Sequence, residues 1–333
     1  MNLFNPAEDE NVSMVHPEYF IISGLSGVPH IKLYYVFLFA VYVLSVLANS
    51  AVMAVICLDR RLQTPKYVAV FNLAFVDLFG SSALVPKLLD VFLLGNRRIP
   101  FRNCLVYMFF CYTCLSMQSF NLVALAYDRL LAIIFPLHYQ VKMTHRFMLR
   151  LICGFWLLVV VLVAVAAGLL SRLSFCRSVV INSYFCDHGQ IYRLSCNSHY
   201  PNYMVSCIYP VVIFWLPLAF ILLSYAAISC TLAKVAAVQE RLKALRTCAA
   251  HLSLVAIYFI PLLITFTLME NIHPNSRIIN LSLTSVFPPL LNPVIYTLQT
   301  QEIKESFGRL IRSARRRRRG KHGARAKVWT ALH

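Results

Sequence analysis

Residues 103–127, NCLVYMFFCYTCLSMQSFNLVALAY, run without a single Asp, Glu, Lys or Arg and end on Asp128-Arg129-Leu130. A helix rises 1.5 Å per residue, so about 20 residues cross a hydrocarbon layer of roughly 30 Å. These 25 suffice. Working outward, the same test finds Leu33–Leu58, Leu151–Ser171, Leu194–Ala233, Thr247–Met269 and Ile278–Gln301. A further stretch, Tyr67–Pro86, is apolar except for the carboxylate of Asp77. Leu194–Ala233 has 40 residues, too many for one crossing and too few for two with a turn. Its polar start, through Pro201 and Asn202, reads as loop, and the helix as Tyr203–Ala233. The expectation is an all-α integral membrane protein, a seven-transmembrane-helix bundle with a short amphipathic helix after it. Residues 1–30 form an N-terminal segment, 31–300 the bundle, and 301–333 a tail.

Composition agrees. Of 333 residues, 59% are hydrophobic and 13% charged, where a soluble domain carries about 25% charged. In water such a chain would leave large apolar patches bare. The net charge of +18 resembles a nucleic-acid signature, but much of it lies in the tail. With seven spans the two chain ends lie on opposite sides. The side holding the tail carries 22 Lys and Arg, 11 of them in the tail itself, against nine on the other side. The positive-inside bias therefore places the tail in the cytoplasm and the amino end outside. Asn11-Val12-Ser13, a glycosylation sequon, falls on the outer side. So do Cys104, Cys176, Cys186 and Cys196, where disulfides persist; four cysteines allow three pairings. Glu8, Asp9, Glu10 and Glu18 with no basic leader argue against a cleavable signal peptide, which leaves insertion to the first span.

Several strings carry a family resemblance. Asp128-Arg129-Leu130 closes the third span 25 residues after Cys104, and Asn292-Pro293-Val294-Ile295-Tyr296 closes the seventh. Asn49 lies in the first span, Leu73-Ala74 with Asp77 in the second, Trp156 in the fourth and Pro261 in the sixth. This set resembles the rhodopsin-like G-protein-coupled receptors. Leu125-Ala126-Tyr127-Asp128-Arg129 with Pro136-Leu137-His138-Tyr139, and the run from Lys243 to Leu252, are similar to odorant receptors in particular. Cys186-Asp187-His188 and Ile191–Cys196 lean toward the fish-like class I branch. Leu130 stands where the family usually has Tyr, and Ala48 where Gly is usual.

The resemblance implies an odorant receptor at the plasma membrane, binding a small molecule and activating a heterotrimeric G protein of the stimulatory olfactory type. It pairs Cys104 with Cys186 and Cys176 with Cys196. A zinc site at His188 or His199 is the competing idea, and the cysteines lack the close spacing of structural zinc. Asp128 and Arg129 become an activation switch: Asp128 satisfies the arginine while the bundle is shut, and Arg129 turns toward Tyr225 and Tyr296 when the sixth span opens. The plain alternative is a basic anchor at the interface. Asp77 with Asn49, Gln118 and Asn292 becomes a polar core, a hinge linked to sodium or protons, or else a neutral packing node. Prolines Pro210, Pro217, Pro261, Pro288, Pro289 and Pro293 remove helical hydrogen bonds and permit kinks; Pro261, after Tyr258-Phe259, is the expected hinge.

A ligand pocket belongs between the third, fifth, sixth and seventh spans near the outer face. Inward-facing candidates are Met108, Cys111, Tyr112 and Leu115, then Ser206 and Ile208, then Tyr258, Leu262, Thr265 and Glu270. Glu270 stands where carboxylate-binding class I receptors often place Arg, which implies cationic or neutral ligands; a solvated Glu at a helix end is the alternative. In the tail, Ile303, Phe307, Leu310 and Ile311 recur at helical spacing. Arg315–Arg319 follow, a charge run suited to anionic lipids rather than nucleic acid. A transporter would be expected to show charge ladders or inverted repeats, and no nucleophile–base or metal-ligand spacing within the spans points to an enzyme.

Overall fold

The computed structural model describes residues 15–25, 27–176, 178–267, 273–299, 301–310 and 312. Among them, seven helices are long and apolar enough to cross a membrane. They are α1 (Ile31–Leu58), α2 (Pro65–Phe92), α3 (Phe101–Ile134), α4 (His145–Leu170), α5 (Tyr200–Ala233), α6 (Val238–Thr267) and α7, which is split into Pro274–Thr284 and Phe287–Gln299. A shorter helix, α8, spans 301–310.

Burial sorts the helices. In the most apolar stretch of α3, 72% of residues are buried, against 22% in α4. The central helix is also the one whose sequence intersperses Thr113, Ser116, Gln118, Ser119 and Asn121 among apolar residues, and all five are buried. Peripheral α4 instead leaves Leu157, Leu158, Val161 and Val165 exposed. Buried polar groups need partners inside the protein, whereas exposed Leu and Val suit lipid.

The prolines do more than bend helices. Pro217 has no N–H for the carbonyl four residues back, that of Ile213, and the Ser119 hydroxyl of α3 donates to it at 2.6 Å. Between Pro210 and Pro217, residues Val211–Trp215 form a π-helical turn, a common feature of helices with a local interruption. Likewise Pro293 frees the Pro289 carbonyl, and Asn49 Nδ2 of α1 donates to it at 2.8 Å. Each lost helical bond has become a tie between helices. The fifth helix starts at Tyr200 rather than Tyr203, since Pro201 in its first turn gives up only an N–H that would lack a helical partner anyway.

One end of the bundle carries both disulfides and a small sheet that the helical reading did not foresee. Strand β1 (Tyr19–Ile22) lies between β2 (Arg98–Pro100), antiparallel with Phe20 opposite Ile99, and β3 (Val180–Ile181), parallel with Ile21 opposite Val180. Phe20 and Ile22 are fully buried beneath it. The bonds Cys104–Cys186 and Cys176–Cys196 match the expected pairing.

At the opposite end, α8 packs Ile303 into the base of α1 and α2, with Phe307 and Leu310 beside it. Arg309 pairs with Asp59 at 2.7 Å. Glu302 accepts a hydrogen bond from the Tyr67 hydroxyl and pairs with Lys66 at 3.6 Å. Part of its apolar stripe thus meets protein rather than lipid. Ile311 and the Arg315–Arg319 run lie outside the described residues.

Candidate functional site

A cavity of about 380 Å³ opens at the disulfide end. Met108 and Tyr112, one turn apart on α3, line one side; Val163 and Ala166 of α4 and Ser206, Tyr209 and Pro210 of α5 line the others. The loop after α4 closes it with Asp187, His188 and Tyr192, and Thr267 and Arg277 complete the wall. The fourth helix was not expected here. It enters because the loop tied down at Cys186 fills part of the space between α3 and α7 with Tyr184 and Phe185.

Asp187 follows the disulfide cysteine and is held from several directions. Its Oδ1 accepts from the Gly189 N–H at 2.9 Å, capping the turn His188–Ile191, and from the Tyr112 hydroxyl at 3.1 Å. Its Oδ2 pairs with Nη2 of Arg277, both side chains being more than nine-tenths buried. His188 is buried too, with Nε2 3.2 Å from Asn202 Oδ1. That burial holds its imidazole below the ordinary histidine value, partly offset by Asp187. Among the described residues no group of three His, Cys, Asp or Glu is placed to hold a metal ion.

Of the expected pocket residues, Met108, Tyr112 and Ser206 reach this cavity. Cys111, Leu115 and Leu262 line a separate cavity of about 40 Å³ below it, which Tyr112 also borders. Tyr258 is buried in the core and donates to the Leu115 carbonyl at 2.6 Å. Thr265 donates to the Pro261 carbonyl at 3.1 Å and accepts from Asn280 Nδ2 at 2.7 Å, tying α6 to α7. Ile208 is 51% exposed and points away from the bundle, because the helical period puts it opposite Tyr209 and Ser206. Glu270 lies outside the described residues, as does Asn11. Neither Asp187 nor Arg277 was singled out by the sequence reading. The signal was available: two opposite charges on one side of the membrane, each close to an apolar span, need each other.

Between the two ends, Asp77 is wholly buried and accepts from Gln118 Nε2 and Asn292 Nδ2, both at 2.7 Å. It joins α2, α3 and α7 at one point. Asn49 is not part of this knot; it caps Pro289 and bonds to the Ser45 carbonyl at 2.9 Å. A sodium ion takes oxygen ligands, as hard cations do. Both Asp77 oxygens meet amide N–H groups instead, so this donor set does not fit the ion. A second knot lies nearby, where Trp156 Nε1 donates to Asn72 Oδ1 at 3.1 Å and Asn72 Nδ2 donates to Asn121 at 2.7 Å.

At the α8 end, a cavity of about 250 Å³ is bordered by Arg129, Lys66, Lys243, His251, Tyr296 and Glu302. Asp128 is buried and accepts from the Tyr139 hydroxyl at 2.6 Å. Among the described residues Arg129 is in no ion pair, so the local Asp128–Arg129 pairing expected of a shut bundle is not made here; Tyr139 takes the carboxylate instead. Tyr225 bonds with His251 Nδ1 at 2.9 Å, and the buried Tyr296 hydroxyl has no hydrogen-bond partner among the described residues. His251, within the run from Lys243 to Leu252, is the cavity residue to which Tyr225 bonds.

The family of olfactory receptors matches residues 38–313 of the chain. Olfactory receptor 1F1 of Homo sapiens is 32% identical over 294 residues, covering 88% of this chain and 94% of its own. Olfactory receptor 1E16 of Mus musculus is 34% identical with the same coverage. In three dimensions squid rhodopsin superposes with a TM-score of 0.67 at 19% identity, over 93% of this chain and 92% of that one. The match runs through all seven helices, and the chain belongs to the olfactory receptor family, as a seven-helix membrane receptor and not an enzyme.

Proposed function

We propose that a small odorant binds in the 380 Å³ cavity, on the extracellular side, and that a heterotrimeric G protein of the stimulatory olfactory type docks at the cavity around Arg129, on the cytoplasmic side. One observation carries this reading. The two cavities lie at opposite ends of one bundle, and Asp77 links three of its helices between them. A ligand favouring one arrangement of those helices shifts the population of the other cavity's shape, by no more than its difference in affinity for the two states. Arg129 and Lys243 border the cavity with no ion pair among the described residues, and we assign them to a docking segment. Leu130, where the family usually has Tyr, removes one hydroxyl beside Arg129.

The expected result is ligand-evoked cAMP in transfected cells, lost in Arg129→Ala at equal surface level. Ligand-driven solute flux with no G protein would instead favour a transporter. Orientation is tested separately. A tag ahead of residue 15 should be reached on intact cells and a tag at residue 333 only after permeabilisation, and Asn11→Gln should remove a glycan-dependent shift in mass. The basic tail from Arg315 is assigned to anionic lipid, each charge near the surface being worth about 1 kcal/mol. Glu270 is assigned the discrimination against acids, tested with short fatty acids and amines on Glu270→Gln. A strong acid response insensitive to that change would remove it from the pocket.

A further inference from the structure

The cavity at the disulfide end contains a charge pair whose hydrogen bonding is lopsided. Both oxygens of Asp187 are engaged: Oδ1 by the Tyr112 hydroxyl and the Gly189 N–H, Oδ2 by Arg277. Arg277 is 6% exposed, borders the cavity, and its Nε has no hydrogen-bond partner among the described residues. A guanidinium has five N–H donors and no acceptor, and a buried donor left unmade is costly. The buried pair therefore has a donor to spare and no net charge of its own, and Arg193 adds one exposed cation to the cavity wall. Apolar surface from Met108, Val163, Val205 and Pro210 makes up much of the remaining wall.

We infer that this cavity takes a neutral molecule carrying a carbonyl or ester oxygen, held by a hydrogen bond from the Arg277 guanidinium with its apolar body against Met108 and Val163. The inference rests on the reading of the cavity as the odorant site and narrows the chemistry of what enters it. A carboxylate reaching Arg277 at the buried end would lie beside Asp187, where little solvent screens the repulsion. An ammonium would bring a further cation to a wall that already holds Arg277 and Arg193. A plain hydrocarbon would fill the space but leave the Arg277 donor unmade. A ketone, aldehyde or ester supplies the missing acceptor without disturbing the pair.

The test uses the purified full-length chain in lipid nanodiscs and two matched ligand sets. One is 2-octanone, octane, octanoic acid and octylamine; the other is acetophenone, ethylbenzene, benzoic acid and benzylamine. Affinity is read from the ligand-dependent shift of thermal unfolding. In at least one set the ketone should bind about 10- to 100-fold more tightly than its hydrocarbon, the range expected of a hydrogen bond to a charged group, and more tightly than the acid and the amine. Two variants follow the hydrogen bond. In Arg277→Met with Asp187→Leu, which removes both charges together, the ketone and hydrocarbon should bind within about threefold of each other. In Arg277→Lys, which keeps the pair but lacks the Nε–H, ketone affinity should fall at least fivefold with hydrocarbon affinity unchanged. The inference is overturned if no ketone outbinds its hydrocarbon, if the acid or amine binds best in both sets, if the preference stays above threefold in the folded double replacement, or if ketone affinity falls less than fivefold in folded Arg277→Lys. G-protein nucleotide exchange is measured in parallel. A ketone that binds with the stated selectivity but triggers no exchange supports the inference and counts against the receptor reading of the cavity.

Discussion

Asp187 and Arg277 stabilise each other only as a pair. Truncating one leaves the other charged and buried, a change that costs about 3–5 kcal/mol, so Asp187→Ala should lower the unfolding temperature of the purified receptor sharply. The double replacement Asp187→Leu with Arg277→Met should lower it far less, and equal losses would show that the two act independently. His188, next in the chain, gives a pH dependence. Burial holds its imidazole below the ordinary value of about 6.5. As pH falls through 6.5 the unfolded loop takes up a proton that the folded loop refuses, so loop stability is complete above that pH and declines below it. Hydrogen exchange at Gln190 and Ile191, whose N–H groups bond to the Asp187 carbonyl, should therefore quicken, relative to the intrinsic rate, between pH 7 and pH 5. His188→Gln should flatten that dependence. At this scale the sequence was partly legible. Asp77, Gln118 and Asn292 meet as expected because a carboxylate inside a membrane must recruit donors. Asp128 does not hold Arg129 because Tyr139, beyond the end of the helix, reaches it first, and no helical periodicity reports on a side chain arriving from a connecting segment.

Single elements show a similar division. Every proline that breaks a helix was visible in the sequence, and so was the freed carbonyl each implies. At Pro217 and Pro293 the donor that takes up that carbonyl was not, since it belongs to another helix. Ser119 serves Ile213 and Asn49 serves Pro289. Replacing either by Ala leaves a buried carbonyl short of its partner, and Ser119→Ala and Asn49→Ala should each cost about 1–3 kcal/mol in thermal unfolding. Ser224→Ala, whose hydroxyl bonds back to the Phe220 carbonyl of its own helix at 2.7 Å, serves as the comparison and should cost less. A loss at Ser119 no greater than at Ser224 would mean the π-helical turn in α5 holds itself. Helix α8 was legible as amphipathic, but Asp59 as its docking partner was not. The Arg309 guanidinium holds the Asp59 carboxyl down at about 2. The contact should thus persist through mild acid, contribute less as pH falls below about 4 and open only as pH approaches 2, and spin labels placed on α1 and α8 would show that separation.

For the whole molecule, the seven-helix bundle was readable because the count of apolar stretches depends only on length and charge. The cap over the disulfide end was not, because its strands are four residues or fewer and come from three distant parts of the chain. The two disulfides should contribute unequally. Cys104–Cys186 spans 82 residues and Cys176–Cys196 only 20, and chain-entropy arguments give the longer loop the larger share, within about 2–5 kcal/mol each. Selective removal of each pair, followed by thermal unfolding, should rank them in that order. The cap also fixes an order of assembly. Strand β1 leaves the ribosome before any helix of the bundle, yet its parallel partner β3 is made about 160 residues afterwards, a wait on the order of ten to thirty seconds at ordinary synthesis rates. During that interval Phe20 and Ile22 have no finished shelter, so a chaperone that binds exposed apolar strands has a substrate in β1 until β3 arrives.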